Sequence, residues 1–282
     1  MFRNPIDRRR TICAVAAVNT QAASGAMYMI AYGTYFFQMA GVGEPFTMSI
    51  VLVCVGVIAV VLNTLVITRY GYRRVFLMIG LVLCGLVQLI LAAVYDARPK
   101  APSTLKLLVG LSVMYILAYN GMISSYAWVS GGELPSQRLR SYTFGLAAST
   151  GFFGAWLATF TAPYFINPES LNWGPKYGYI WAPSCFIAAI WVFFFLPEAK
   201  GRTLEEIDEM FMAHVPARKF RNYECTGQAA LESKMRNAST ASSDEEHGHK
   251  KDIVGDTQTI ERVFGTDEKG AMDAVEVAIN TR

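Results

Sequence analysis

Apolar residues fall along this chain in long unbroken runs, and charged residues fall almost wholly between them. Six runs stand out, at 11–38, 47–68, 75–95, 106–130, 141–165 and 178–196. Apart from Lys106 at one margin, none of them contains Asp, Glu, Lys or Arg. A helix that crosses the hydrocarbon core of a bilayer needs ~20 mainly apolar residues. A charge at its centre costs roughly 2.5–3.5 kcal/mol on insertion scales, so uncharged runs of this length predict spans. A soluble bundle of such long helices would need a polar stripe on each, and 50–62 and 76–94 have none. The first run follows Arg8, Arg9 and Arg10 as a signal peptide would. It is longer than a signal core, holds Asn19, Thr20 and Gln21, and is followed by five more runs, so it reads as a span. The pattern predicts an all-α membrane protein with six transmembrane helices over 11–196, after a short segment at 1–10.

Composition narrows the function class. Only 17% of the 282 residues are charged, against about 25% in soluble domains, which weighs against a cytosolic enzyme. A net charge of +3 gives no reason to expect nucleic acid. Cys13, Cys54, Cys84, Cys185 and Cys225 lie far apart, and His214, His247 and His249 all follow the last apolar run. No catalytic residue, metal site or cofactor is expected from such spacing. Orientation follows from Lys and Arg. With the N-terminus in the cytoplasm, the inside segments hold Arg3, Arg8, Arg9, Arg10, Arg69, Arg73, Arg74, Arg138, Arg140, Lys200 and Arg202. The outside loops hold only Arg98, Lys100 and Lys176, with Lys106 at an edge. The positive-inside rule then puts both termini in the cytoplasm. Beyond the last run, Thr203-Leu-Glu-Glu206 fits a capping box opening a short amphipathic helix to about Met212. The segment 197–221 reads as a cytoplasmic motif with that helix, and the polar stretch 222–282 as a disordered cytoplasmic tail.

Three segments at the cytoplasmic side carry a resemblance. They are Arg69-Tyr-Gly-Tyr-Arg-Arg74, Glu133-Leu-Pro-Ser-Gln-Arg-Leu-Arg140 and Pro197-Glu-Ala-Lys-Gly-Arg-Thr-Leu-Glu-Glu-Ile-Asp208. In this order and spacing they resemble the C-terminal half of a major facilitator superfamily sugar porter. Glu133–Ala147, Asn167–Trp181 and Pro216-Ala-Arg-Lys-Phe220 look like fungal α-glucoside (maltose-type) permeases. The resemblance covers 8–221. It implies that the six helices form the C-terminal bundle of the major facilitator fold, spans seven to twelve of a twelve-span carrier.

The same resemblance suggests where a saccharide would sit. Amides suit hydroxyl recognition because each offers donors and an acceptor, and aromatic faces stack on a pyranose. Gln21 and Gly25 match the family's Gln-x-x-x-Gly pattern on the first span, and glycine there permits a break. Trp128 lies five residues before Glu133 and Asn120 thirteen before it, where relatives place sugar contacts. Gln21, Tyr119, Asn120 and Trp128 are therefore the expected substrate contacts, and Tyr28 and Tyr32 the outer gate. Arg73, Arg74, Glu133, Arg138, Arg140, Glu198 and Arg202 are the expected cytoplasmic gating network. The sequence departs from the family at Tyr72, Thr68, Ala22, Met27, Ser125, Ala148 and Ser149. Asn63, Thr64 and Gln88 read as interhelical hydrogen bonds rather than ligands.

The function expected is alternating-access uptake of an α-glucoside or related saccharide by a half-length transporter in the plasma membrane. Proton symport is expected only of a full-length relative, because no carboxylate lies inside the six runs. The expected partners are a small-molecule sugar, the lipid bilayer and a complementary six-helix half, with no nucleic acid. Two other readings stay open at this stage: a non-transporting nutrient sensor, and an inactive truncated fragment.

Overall fold

The computed structural model describes residues 2–40, 44–70, 72–98, 102–167, 169–223, 225 and 227. The expected tail at 222–282 lies outside the described residues from 228 onward. The described elements up to Cys225 belong to one unit, and among the described residues every regular element is helical.

Helix α1 (Pro5–Ala23) starts where Asn4 accepts from the Ile6 amide at 3.1 Å and Pro5 occupies the first turn. It stops at Ser24 and Gly25, and α2 (Ala26–Ala40) continues the run. Then come α3 (Pro45–Tyr70) and α4 (Arg73–Ala97). Next are α5 (Pro102–Ala118), a π-helical turn at Tyr119–Ser124, and α6 (Ser125–Glu133). The chain proceeds through α7 (Arg140–Ile166), a 3-10 turn at Gly174–Tyr177, α8 (Gly178–Phe195), α9 (Leu204–Met212) and a 3-10 turn at Ala217–Asn222. Four stretches are long and apolar enough to cross a membrane: Pro45–Leu65, Arg73–Ala97, Lys106–Glu133 and Gly174–Phe195. The two remaining runs differ for local reasons. The first is divided at Gly25, and α7 is diluted by Ser149, Thr150, Thr159, Thr161 and three glycines.

The helices pack as facing pairs, α4 most extensively on α8 and α1 on α7 and α6. Small residues let α1 approach closely: a Cβ on Gly131 would come within 2.4 Å of Val18, and one on Gly154 within 2.9 Å of Ala22. Polar ties also cross between helices. Asn19 donates to Thr150 Oγ1 at 2.9 Å, and Tyr126 donates to Asn63 Oδ1 at 3.2 Å. Among the described residues Thr64 bonds only its own helix, at Val60 O, 2.9 Å away, and not a neighbouring one as expected. The outer surface is apolar. Ile50, Val53, Val57, Val61 and Leu65 project from α3, and Phe153, Trp156, Phe160 and Tyr164 form a ladder of neighbouring rings on α7, all exposed.

Candidate functional site

The break in the first run is built by Gly25. Its φ of +71° lies in the left-handed region, where a Cβ is crowded by the backbone. A Cβ there would also stand 2.6 Å from the Trp181 ring. Breaking a helix frees a carbonyl, and a dry interior demands donors for it. Ser24 O receives Gln88 Nε2 at 2.8 Å and the Tyr115 hydroxyl at 2.7 Å. So Gln88 serves the helix break, as an interhelical bond. Tyr28 follows on α2, wholly buried, edge-on to Tyr177 at 5.0 Å and stacked on Trp181 at 6.2 Å. Among the described residues the Tyr28 hydroxyl, Trp181 Nε1 and Gln88 Oε1 are buried without hydrogen-bond partners, leaving hydrogen-bonding capacity around the break. Tyr32 is half-buried and edge-on to Tyr35 at 6.4 Å.

A second irregularity lies in the fourth run. The π turn Tyr119–Ser124 widens the helix for one turn, a feature often found at functional sites. Gln21 Nε2 donates to Ser124 O in this turn at 3.1 Å. Two irregular segments, one after α1 and one between α5 and α6, are therefore joined through Gln21. Tyr119 is buried and stacks on Tyr115 at 6.3 Å. Asn120 projects elsewhere, into a cavity of about 440 Å³ between α2, α3 and the π turn. Its walls are mainly Ile and Val, with polar edges at Asn120 and the Thr34–Ser49 hydroxyl pair, 2.7 Å apart. Gly56 keeps α3 clear of Asn120, since a Cβ would lie 2.5 Å from Asn120 Nδ2. A volume of this size, apolar with a few placed polar groups, has the character of a ligand pocket. Of the four expected saccharide contacts, Asn120 is the one among the lining residues. Trp128 lies on the far side of the same run, against Phe144 at 5.7 Å and Phe152 at 6.1 Å. Gln21 and Tyr119 lie behind Asn120, bonded or stacked within the bundle.

The charged end of the bundle gathers part of the expected network and divides the rest. Arg73 at the start of α4 forms an ion pair with Glu133 at the end of α6. Glu198, beyond α8, accepts from the Arg74 amide at 3.0 Å, supplying a cap that Tyr72 does not give to α4. Burial holds the Glu198 carboxyl above its ordinary range, against the lowering effect of the Arg74, Lys200 and Arg73 amides and the Arg73 charge. The Arg74 side chain donates to Phe193 O. Arg138 instead meets Asp7 at 3.5 Å from an exposed position, and Arg202 meets Glu206 at 3.6 Å and Tyr223 O at 2.6 Å. Arg140 is exposed, with no ion pair among the described residues.

Sequence reasoning missed the most buried cation at this end. Arg10 is 3% exposed, donates to Leu134 O at 2.8 Å and Pro135 O at 2.9 Å, and pairs with Asp208 of α9. The Phe211 ring lies 4.9 Å from its guanidinium. Neighbouring Arg9 donates to Val215 O at 2.8 Å. The only available signal was that Asp208 closes the third motif. Helix α9 is held ready for this contact by its capping box, with the Glu206 amide 3.2 Å from Thr203 Oγ1 and the Thr203 amide 2.8 Å from Glu206 Oε2.

The alpha-glucosides permease MPH3 of Saccharomyces cerevisiae is 32% identical over 225 residues, 78% of this chain and 36% of that protein. The maltose permease MAL31 of the same species is 32% identical over 224 residues, again 78% of this chain and 36% of that protein. The general alpha-glucoside permease of that yeast is 32% identical over 218 residues, 76% of this chain and 35% of that protein. The chain thus spans about a third of the length of the relatives it matches, and these are permeases, not enzymes. Residues 1–211 match the family described as Sugar (and other) transporter, and the chain is a multi-pass membrane protein belonging to that family.

Proposed function

We propose that the chain is one six-helix lobe of an alternating-access saccharide carrier of the plasma membrane, with α-glucosides as its substrate class. Its six spans are α1 with α2, α3, α4, α5 with α6, α7 and α8, and the charged end faces the cytoplasm. The observation that carries this reading is the clasp formed by Arg73–Glu133 and by Glu198 on the Arg74 amide. It ties the ends of α4, α6 and α8 at one face. Carriers of this architecture rock two bundles about a site near the midplane. A clasp that joins helix ends in one state and releases them in the other supplies the two-state element that rocking needs.

Asn120 is the saccharide contact in the cavity, with Thr34 and Ser49 offering hydroxyls at its edge. Gln21 and Tyr119 hold the π turn that aims Asn120. Trp128 and the tyrosines Tyr28 and Tyr32 enter contact with substrate or gate only as α1, α2 and α6 shift. Arg138, Arg140 and Arg202 complete the charged end. No carboxylate lies within the six apolar runs, and intramembrane carboxylates are the usual proton carriers, so any coupling to protons is assigned to the complementary lobe.

The test is radiolabelled maltose uptake in cells lacking their own maltose carriers. The chain is expressed with the remaining part of the matched S. cerevisiae permease. Asn120→Ala is expected to depress uptake at least tenfold at unchanged membrane abundance, because the cavity loses its amide. Uptake equal to that of the parent chain would overturn the assignment of this cavity.

A further inference from the structure

The charged end holds a second pocket, which shares no lining residue with the Asn120 cavity. It lies between the first turn of α4, the last turn of α8 and the 3-10 turn Ala217–Asn222, and encloses about 270 Å³. Its wall brings Arg74, Arg218 and Arg221 together with Tyr72, Phe193 and Glu198. The motif Pro216-Ala-Arg-Lys-Phe220 builds one side. Phe220 is buried edge-on to Phe211 at 5.1 Å, which anchors the turn. In a 3-10 helix, residues three apart share a face, so Arg218 and Arg221 point the same way.

The groups in this pocket are poorly matched to one another. The Arg218 guanidinium lies 4.5 Å from the centroids of both Phe193 and Phe194, and it has no hydrogen-bond or ion-pair acceptor among the described residues. Arg221 lies 5.1 Å from the Tyr72 ring, and among the described residues its side chain reaches only the Tyr72 hydroxyl, at 3.5 Å. Opposite them stands Glu198, 9% exposed, whose Oε2 takes the Arg74 amide while Oε1 is buried with no hydrogen-bond donor among the described residues. A cation with no acceptor among the described residues, a second held by one long hydroxyl contact and a carboxylate oxygen with no donor among them match a ligand that presents an anion and hydroxyl groups together. Guanidinium forks favour phosphate oxygens, and a hydroxyl suits the open carboxylate oxygen.

We propose that this pocket binds a phosphorylated polyol, a chemistry shared by the headgroup of an inositol phospholipid and by a free sugar or inositol phosphate. The phosphate lies between Arg218 and Arg221, and a ring hydroxyl donates to Glu198 Oε1. Basic pockets at the ends of transmembrane helices are suited to anionic headgroups, and the exposed Phe193, Phe194 and Phe195 place lipid beside the mouth. Binding there would bear on the Glu198 clasp, because the same carboxylate caps α4.

The full chain is reconstituted in phosphatidylcholine nanodiscs, and thermal unfolding and binding are followed in two arms. One arm adds a phosphorylated phosphatidylinositol to the bilayer, and the other titrates soluble inositol bisphosphate. Saturable stabilisation in either arm is expected, and which arm responds identifies the source. Arg218→Gln with Arg221→Gln, both exposed side chains, is expected to weaken it roughly tenfold or more without lowering the unfolding midpoint of the unliganded protein. Glu198→Gln is expected to narrow the preference for inositol bisphosphate over inorganic phosphate. Three outcomes would each overturn the proposal: no response in either arm, equal binding by the double variant, or inorganic phosphate binding as tightly as inositol bisphosphate.

Discussion

Gly25 and Glu198 show how single residues set the two ends of this bundle. Gly25 combines a left-handed φ with a Trp181 contact that leaves no room for a Cβ. Alanine at φ +71° costs about 1–2 kcal/mol from conformation alone, and Trp181 would have to move as well. Gly25→Ala should therefore lower the thermal midpoint in detergent. Gly110→Ala, where a Cβ meets nothing within 4 Å, should raise it slightly, by about 0.5–1 kcal/mol of helix preference. Equal midpoints for the two variants would mean that the break makes no demand on Gly25. Glu198 makes a prediction in pH. Its carboxyl is raised by burial, with the Arg74, Lys200 and Arg73 amides and the Arg73 charge working against that rise. A carboxyl raised on folding binds its proton more tightly in the native state. Its stabilising contribution is then complete below the unfolded value and is lost as pH climbs through the native one. Glu198→Gln should gain stability relative to wild type as pH rises from the carboxylate range towards neutrality. A difference that stays flat, or moves the other way, would show that the carboxyl is not raised.

Between elements, the strongest tie at the charged end is Arg10, which joins α1 to the turn after α6 and to α9. Removing a buried ion-pair partner costs about 3–5 kcal/mol when the remaining charge is stranded. The Asp208 side chain keeps 27% exposure, so Arg10→Ala should cost somewhat less, about 2–4 kcal/mol. Asp208→Asn should cost about 1 kcal/mol, because Arg10 keeps its two carbonyl acceptors. Thermal unfolding of both variants checks the order, and an Asp208→Asn cost exceeding that of Arg10→Ala would reverse the argument. This contact also shows where sequence reading stops. The capping box at Thr203–Glu206 is legible because both partners lie three residues apart, and the break at Gly25 because only glycine takes that φ freely. Arg10 and Asp208 are separated by 198 positions, and nothing local marks them as partners. The π turn is similarly silent, since Tyr119-Asn-Gly-Met-Ile-Ser124 has no composition that forbids an ordinary helix. For the same reason Asn120 and Trp128 look like companions in sequence. The widened turn directs Asn120 towards α3, whereas Trp128 packs towards α7.

At the scale of the whole molecule, the surface determines the environment and the charges determine the orientation. The exposed faces of α3 and α7 are apolar over most of their length, a far larger area than soluble monomers leave open. Such faces are stable against lipid or against a second bundle. The charged groups divide by end. Arg10 with Asp208, Arg73 with Glu133 and Gln137 with Glu205 all sit where α1 and α7 begin and α6 and α8 finish. The opposite end holds Asp96 paired with Lys176. Lys and Arg are retained on the cytoplasmic side during insertion, so the arginine-rich end should face inward. Single cysteines at Arg138, Lys200 and Lys176 test this in intact cells with a membrane-impermeant maleimide, measured against the background of the native cysteines. Lys176→Cys should label from outside, while Arg138→Cys and Lys200→Cys should label only after permeabilisation. Labelling of 138 and 176 from the same side would place both ends of α7 on one face of the membrane. That cannot happen if α7 spans it, so the six-span lobe would be lost along with its orientation.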